Sequence, residues 1–147
     1  MSKYHEWIKG HIKNNKNFIL PKSKSVEILN RLQEPLKDLS VSRHNLDWGI
    51  PVPFDKKHRI YVWFDALINY ISALGYPEGD KFKKYWPADT HLIGVDIVWF
   101  HTVIWPVMLH ALGIKPPQSV FVHGFINVKG EKLSKTRLIE ANHDISF

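Results

Sequence analysis

The chain contains no cysteine, which excludes disulfides and every thiolate metal site and leaves His, Asp and Glu as the available metal ligands. It also lacks any apolar run near the roughly 18 residues a membrane span requires. Its opening residues, Met1-Ser2-Lys3-Tyr4-His5-Glu6, have none of the apolar stretch of a secretory signal. These absences fit a cytosolic setting. Acidic residues are the minority, 14 against 20 Lys and Arg, and the formal net charge of +6 favours an anionic partner such as a nucleotide or RNA. The nine histidines are scattered, with no HExxH pair among them. What is present, 147 residues of which 44% are hydrophobic and 13% aromatic, is enough for one core and one domain.

Two regions differ in character. Residues 1 to about 45 are rich in Lys and Asn. A short helix is expected from Tyr4 to Ile12, and Asn14-Asn15-Lys16-Asn17 reads as a turn because asparagine tolerates turn conformations. After Ser25, Val26, Leu29, Leu32, Leu36 and Leu39 recur at three- and four-residue spacing, interrupted by Pro35, which predicts a second helix. From Arg59 the pattern becomes alternating strand and helix. Arg59 to Phe64 is a β-branched and aromatic run, Asp65 is placed to cap the helix that follows, and Gly75 to end it. Thr90 to Ile93 is the next strand, followed by Gly94, Asp96 as a cap, and a helix to Leu112-Gly113 with Pro106 irregular within it. Ser119 to Val122 is the third strand and leads through His123-Gly124 to the run Phe125 to Val128. Strands joined by helical crossovers are parallel. The expectation is therefore an α/β fold: half of a doubly wound, Rossmann-type sheet with about three parallel strands between Arg59 and Val128, preceded by a mainly helical segment.

Ligands in open α/β sheets bind beyond the carboxyl ends of the strands. Trp63 to Asp65, Gly94 to Asp96 and His123 to Phe125 fall there. Gly94 allows close approach to the backbone, and Asp96 can accept hydrogen bonds from ribose hydroxyls or cap its own helix; spacing alone favours neither role. Ala66 and Tyr70 are four residues apart, as are Ile97 and His101, so each pair projects from one face of its helix. With Trp63 they can line an aromatic pocket suited to an uncharged, polarizable group such as a thioether. Ordinary core packing is the competing reading for Trp63 and Ala66. Near the end of the chain, Gly130-Glu131-Lys132-Leu133-Ser134-Lys135-Thr136-Arg137 supplies two mobile cations three residues apart, with hydroxyl donors between and after them. Charge pattern alone makes it a solvated turn; its position after the third strand makes it a polyphosphate-binding loop.

Several of these segments together resemble one known family. They are Tyr61-Val62-Trp63-Phe64-Asp65-Ala66-Leu67-Ile68-Asn69-Tyr70, then His91-Leu92-Ile93-Gly94-Val95-Asp96-Ile97 through Phe100-His101, then His123-Gly124-Phe125 and Lys132-Leu133-Ser134-Lys135-Thr136. With Trp48-Gly49-Ile50-Pro51-Val52-Pro53 before them, they resemble the catalytic domain of the methionyl-tRNA synthetases, class I aminoacyl-tRNA synthetases. The likeness runs from about Ser42 to Arg137, in order. Ala66-Leu67-Ile68-Asn69-Tyr70 resembles the methionine branch rather than the branches for isoleucine, valine or leucine.

Carried over by position, the resemblance implies that Trp63, Ala66, Tyr70, Ile97 and His101 contact methionine. It implies that His91, Gly94 and Asp96 surround the ribose of ATP, and that Gly124, Phe125 and Ile126 lie near adenine. Lys132 and Lys135 would stabilise charge at the α-phosphate, Lys135 also counting as an ATP contact. The substrates implied are methionine, ATP with Mg²⁺, and tRNA(Met), with no zinc site in this chain. The sequence departs from the family at Val95, where a lysine is common, and at Leu133 and Thr136 of the lysine loop. It contains no His-X-Gly-His tetrapeptide, the signature that class I enzymes carry in the other half of the sheet. The resemblance thus implies a helical segment over 1–45, ending an inserted connective region, and the C-terminal half of a catalytic domain over 46–147. Such a half would need the missing N-terminal catalytic half as a partner, would be inactive alone, and would leave sheet edges open to self-association. A noncatalytic half-domain that binds RNA or a partner protein is the alternative.

Overall fold

The computed structural model describes residues 1–128 and 131–132. A 3₁₀ turn (Ser2–Tyr4) leads into helix α1 (His5–Asn14), followed by strand β1 (Ile19–Leu20) and helix α2 (Lys22–Arg31). Three short strands come next, β2 (Ser42–His44), β3 (Pro51–Val52) and β4 (Asp55–Ile60), then helices α3 (Val62–Ser72) and α4 (Asp80–Tyr85). Strand β5 (Thr90–Gly94) leads through a 3₁₀ turn (Val95–Ile97) and a π turn (Phe100–Ile104) into helix α5 (Trp105–Ala111). Strand β6 (Ser119–His123) and the hairpin of β7 (Asn127–Val128) with β8 (Glu131–Lys132) complete the described residues. No described helix is long and apolar enough to cross a membrane.

The parallel sheet has three strands in the order β1-β6-β5. β5 and β6 pair from Thr90↔Ser119 to Gly94↔His123, and β1 pairs with β6 at Ile19↔Val120 and Leu20↔Phe121. The expected α/β fold with three parallel strands is present, but one strand is not the one the sequence suggested. The Arg59–Phe64 run is split. Residues up to Ile60 form β4, which pairs antiparallel with β2 and β3 in a separate three-stranded sheet. From Val62 onward the chain is helical, and Tyr61 is the N-cap residue. The β preference of Val62, Trp63 and Phe64 yields because Trp63, Phe64, Leu67, Ile68 and Ile71 all pack in one cluster with α5. The third parallel strand is Ile19–Leu20, too short for any periodic signal.

Residues 91, 93, 120 and 122 alternate inward on β5 and β6 and are buried. Ile93, Val120 and Val122 meet Ile8 and Ile12 of α1, Ile28 and Leu32 of the α2 region, and Val98, Val103 and Val107 in one core. The opposite side of the segment leading into and through α5, at Ile104, Trp105, Met108 and Leu109, packs on Leu67 and Ile71 of α3. A helix apolar on both sides is a buried helix, and residues 101–109 are all buried. Glycines at positive φ, Gly75 (φ 83) and Gly113 (φ 72), follow α3 and α5. At the second, the N–H of Ile114 reaches back to Leu109 O at 2.9 Å, closing the helix end.

The irregularity expected at Pro106 takes the form of a π turn. Proline has no N–H for the carbonyl of Thr102, and the ladder widens so that the Trp105 N–H bonds Phe100 O. Asp65 and Asp96 cap nothing: Tyr61 and Gly94 occupy the N-cap positions of their elements, and neither start has a side-chain cap.

Candidate active site

α3 carries Trp63, Ala66 and Tyr70 at three- and four-residue intervals, and the turns after β5 carry Ile97 and His101. The structure brings Trp63, Tyr70, Ile97 and His101 together, and Ala66 is exposed on α3. The Trp63 ring stacks on Phe100 with centroids 4.0 Å apart, and meets His101 edge-on at 6.4 Å. Tyr70 Oη lies 2.9 Å from His101 Nε2, and His101 Nδ1 lies 3.1 Å from Ile97 O. A carbonyl only accepts, so His101 Nδ1 carries the proton and donates to Ile97 O. In the neutral ring Nε2 is then the acceptor, and the Tyr70 hydroxyl donates to it. The spacing of Ile97 and His101 is thus used for a hydrogen bond along the π-turn segment.

His101 is 2% exposed whereas Tyr70 is 37% exposed. The pair therefore runs from the core to the surface, and the Tyr70 oxygen keeps its lone pairs for an incoming group. Burial pushes the His101 pKa below the usual value, against the opposing pull of the Ile97 carbonyl. Burial likewise raises that of Tyr70. The outcome is an uncharged aromatic cluster.

His91 belongs to this same cluster. Its ring lies 4.4 Å from Tyr70 and 6.1 Å from His101, and its Nε2 accepts a hydrogen bond from Trp105 Nε1 at 3.3 Å. Burial, and secondarily His101, lower its pKa to about 4. The family resemblance implies a place for His91 at the ribose with Gly94 and Asp96. Strand alternation instead turns it, with Ile93, toward the helices. Trp105 and Trp86, which no sequence motif singles out, complete this cluster; Trp86 lies 6.0 Å from Trp105 and 6.1 Å from His91. The one signal for Trp105 is its spacing, because it stands four residues after His101.

A second group stands at the carboxyl ends of β5 and β6. Gly94 pairs with His123, and a Cβ on Gly94 would come within 2.8 Å of Asp96 Oδ1. Only glycine leaves that carboxylate in place. Asp96, His123, Gly124, Phe125 and Ile126 are exposed around this end. At Gly124 a Cβ would meet nothing within 4 Å, so its backbone is open on that side. Lys132 Nζ sits 3.7 Å over the Phe125 ring, a cation–π contact that ties the lysine loop to this group. Lys135 and the rest of the loop from Leu133 lie outside the described residues. Among the described residues no group of three or more His, Asp or Glu is gathered to hold a metal ion.

The comparisons with known proteins agree on one family. Residues 1–144 match the family described as tRNA synthetases class I (M). The methionine–tRNA ligase of Caldanaerobacter subterraneus is 52% identical over 139 residues, 93% of this chain and 22% of the relative. That of Clostridium perfringens is 53% identical over 140 residues, with the same coverage. Among solved structures, the Mycobacterium tuberculosis methionyl-tRNA synthetase bound by methionyl-adenylate matches with a TM-score of 0.81 and 39% identity, over 95% of this chain and 29% of that one. The chain spans about a fifth of the length of these curated relatives.

Proposed function

The chain belongs to the class I tRNA synthetase family for methionine, and from that premise we propose that it is the second half of the catalytic domain of a methionine–tRNA ligase. The observation that carries the reading is the neutral Trp63–Tyr70–His101 cluster, joined by one strand to the Gly94–Asp96 end of the sheet. A thioether is apolar, polarizable and uncharged, and aromatic rings around a single hydroxyl suit it better than a charged cleft would. In this reading Trp63, Ala66, Tyr70, Ile97 and His101 hold the methionine side chain, with His91 behind Tyr70 as their support. Gly94 and Asp96 receive the ribose, and Gly124, Phe125 and Ile126 the adenine.

The methionine carboxylate attacks the α-phosphorus of Mg²⁺-bound ATP, pyrophosphate leaves, and methionyl-adenylate remains. Negative charge builds on the phosphate oxygens, so catalysis here is positioning and electrostatics rather than covalent participation by a side chain. Lys132 and Lys135 supply the cations. The acyl group then passes to the terminal adenosine of tRNA(Met). A cytoplasmic location goes with this reading. Residues 1–45 would be the end of a connective region and 46–147 the catalytic half, completed by the N-terminal half that bears the partner motif for ATP.

Isotopic ATP–pyrophosphate exchange tests the proposal. The purified chain alone is expected to give none, and mixing it with a polypeptide supplying the N-terminal half of a relative is expected to restore methionine-dependent exchange. Exchange by the isolated chain at the rate of a full-length relative would overturn the half-site reading. Binding of RNA with no restored exchange would favour a noncatalytic half-domain.

A further inference from the structure

The two most exposed large apolar side chains described lie outside the aromatic cluster, on the β2-β4-β3 sheet. Trp48, in the loop entering β3, is 91% exposed, and Phe54, in the turn between β3 and β4, is 93% exposed. Basic residues share this sheet: Arg43 on β2, and Lys56, Lys57 and Arg59 on β4. Gly49 backs onto Arg59, where a Cβ would stand 3.3 Å from Arg59 Cβ, so the Trp48 loop rides on the arginine stem. Beneath the loop is a cleft of about 570 Å³, walled by Trp48, Ile50, Pro51 and Val62 and bearing two carboxylates, Asp47 and Asp65.

These features restrict the occupant. A phosphate in the cleft would face two carboxylates. A basic peptide that suits the carboxylates would meet Lys56, Lys57 and Arg59 along β4. An unpaired nucleic acid strand satisfies both regions at once. A base stacks on the indole, its exocyclic amine donates to a carboxylate, and the phosphates stay outside on the lysines and arginine. Val52 pairs with Asp55 at the Phe54 turn and Pro51 with Arg59 at the Trp48 end. A bulge between the two pairs sets β4 residues four apart against adjacent residues of β3, so the rings sit in loops at opposite ends of β3 and serve different bases of one strand.

We propose that the β2-β4-β3 sheet docks an unpaired RNA strand, holding an amino-bearing base, adenine or cytosine, on Trp48 between Asp47 and Asp65, and a second base on Phe54. This rests on the ligase reading above, in which the acyl acceptor is the end of an RNA, and it identifies the surface that receives that end.

The test is fluorescence anisotropy of the purified chain with labelled RNA octamers of adenosine and cytidine, an octamer of uridine, and a blunt hairpin without overhang. The chain is expected to prefer the first by severalfold over uridine and more over the hairpin. Trp48→Ala with Phe54→Ala is expected to weaken octamer binding tenfold or more with unchanged circular dichroism, because both side chains are exposed. Asp47→Asn with Asp65→Asn is expected to erase the preference over uridine. Lys56→Gln is expected to weaken every RNA and to reduce the salt slope by about 0.7. Unchanged octamer affinity in the Trp48/Phe54 variant overturns the proposal. So does a variant that keeps RNA binding but loses association with the complementing polypeptide, which makes the sheet a protein interface. A thermal-shift arm with a nonhydrolysable methionyl-adenylate analogue, run on the chain mixed with the N-terminal half of a relative, separates the two readings. Analogue binding without Trp48-dependent RNA binding sinks this proposal alone, and the converse sinks the ligase reading alone.

Discussion

A neutral histidine is the condition on which the Tyr70–His101–Ile97 chain depends, because a protonated His101 would have no acceptor for the Tyr70 hydroxyl. Burial meets that condition at His101 and more strongly at His91, whose pKa falls from 6.5 to about 4. His11, stacked 5.2 Å from Trp7 and edge-on to Phe18, is lowered too, by burial first and then by His110. Each folded-state pKa lies below its unfolded value. Between the two, the unfolded chain therefore binds more protons, and stability falls as pH drops. For His91 the window runs from about pH 6.5 to about 4, and the loss across it is about 3 kcal/mol at most. The melting midpoint is expected to drop roughly 5–10 °C between pH 7 and pH 4.5. His91→Gln, which keeps an acceptor for Trp105, should show a visibly shallower pH dependence in a series of thermal melts; an equally steep one would remove His91 from the explanation. The members of the Trp63–Tyr70–His101 cluster were legible in the sequence because each pair obeys a helical interval. The placement of His91 was not legible, because a strand residue's face depends on which side of the sheet the helices occupy.

The same limit operates at the scale of elements. Thr90–Ile93 and Ser119–Val122 were readable as strands because they are apolar runs bounded by turn residues, and the structure pairs them in parallel as expected. Of the run expected as a strand, Arg59 to Phe64, only Arg59 and Ile60 belong to β4, whose partners are fixed by the tight hairpin at Pro53-Phe54 and by β2, and no local pattern distinguishes that from a place in the parallel sheet. β1 is two residues long, below the length at which alternation can be counted. Its weight in the fold is nonetheless large. Ile19 is buried against the α1, α2 and β6 residues, and the Val120 N–H bonds Phe18 O at 2.7 Å. Ile19→Ala is expected to cost about 2–4 kcal/mol, whereas Leu20→Ala, half-buried on the other face, should cost clearly less. Urea titrations of the two variants measure this. Equal, small shifts in midpoint would mean that the 1–45 segment folds apart from the sheet it pairs with.

At the scale of the molecule, the described residues cover the parallel sheet on one face only. His91, Ile93, Val120 and Val122 face the helices, and between them Leu92 and Phe121 point the other way, 69% and 43% exposed. The two are direct cross-strand neighbours, and Leu20 pairs beside Phe121, so an apolar stripe crosses all three strands. Parallel sheets are stable with both faces buried, and this chain spans about a fifth of its relatives' length. On the reading proposed above, the covering layer is the N-terminal half of the catalytic domain, and without it the stripe is available to a second copy. Leu92→Lys with Phe121→Lys separates this from a merely solvated face. Both side chains are exposed, so the stability of the isolated chain should change by no more than about 0.5 kcal/mol per site. Concentration-dependent association in sedimentation velocity should disappear, and ATP–pyrophosphate exchange restored by the N-terminal half should fall at least tenfold. Exchange restored in full by the doubly charged variant would show that the two halves meet elsewhere, and the stripe would then have no part in completing the site.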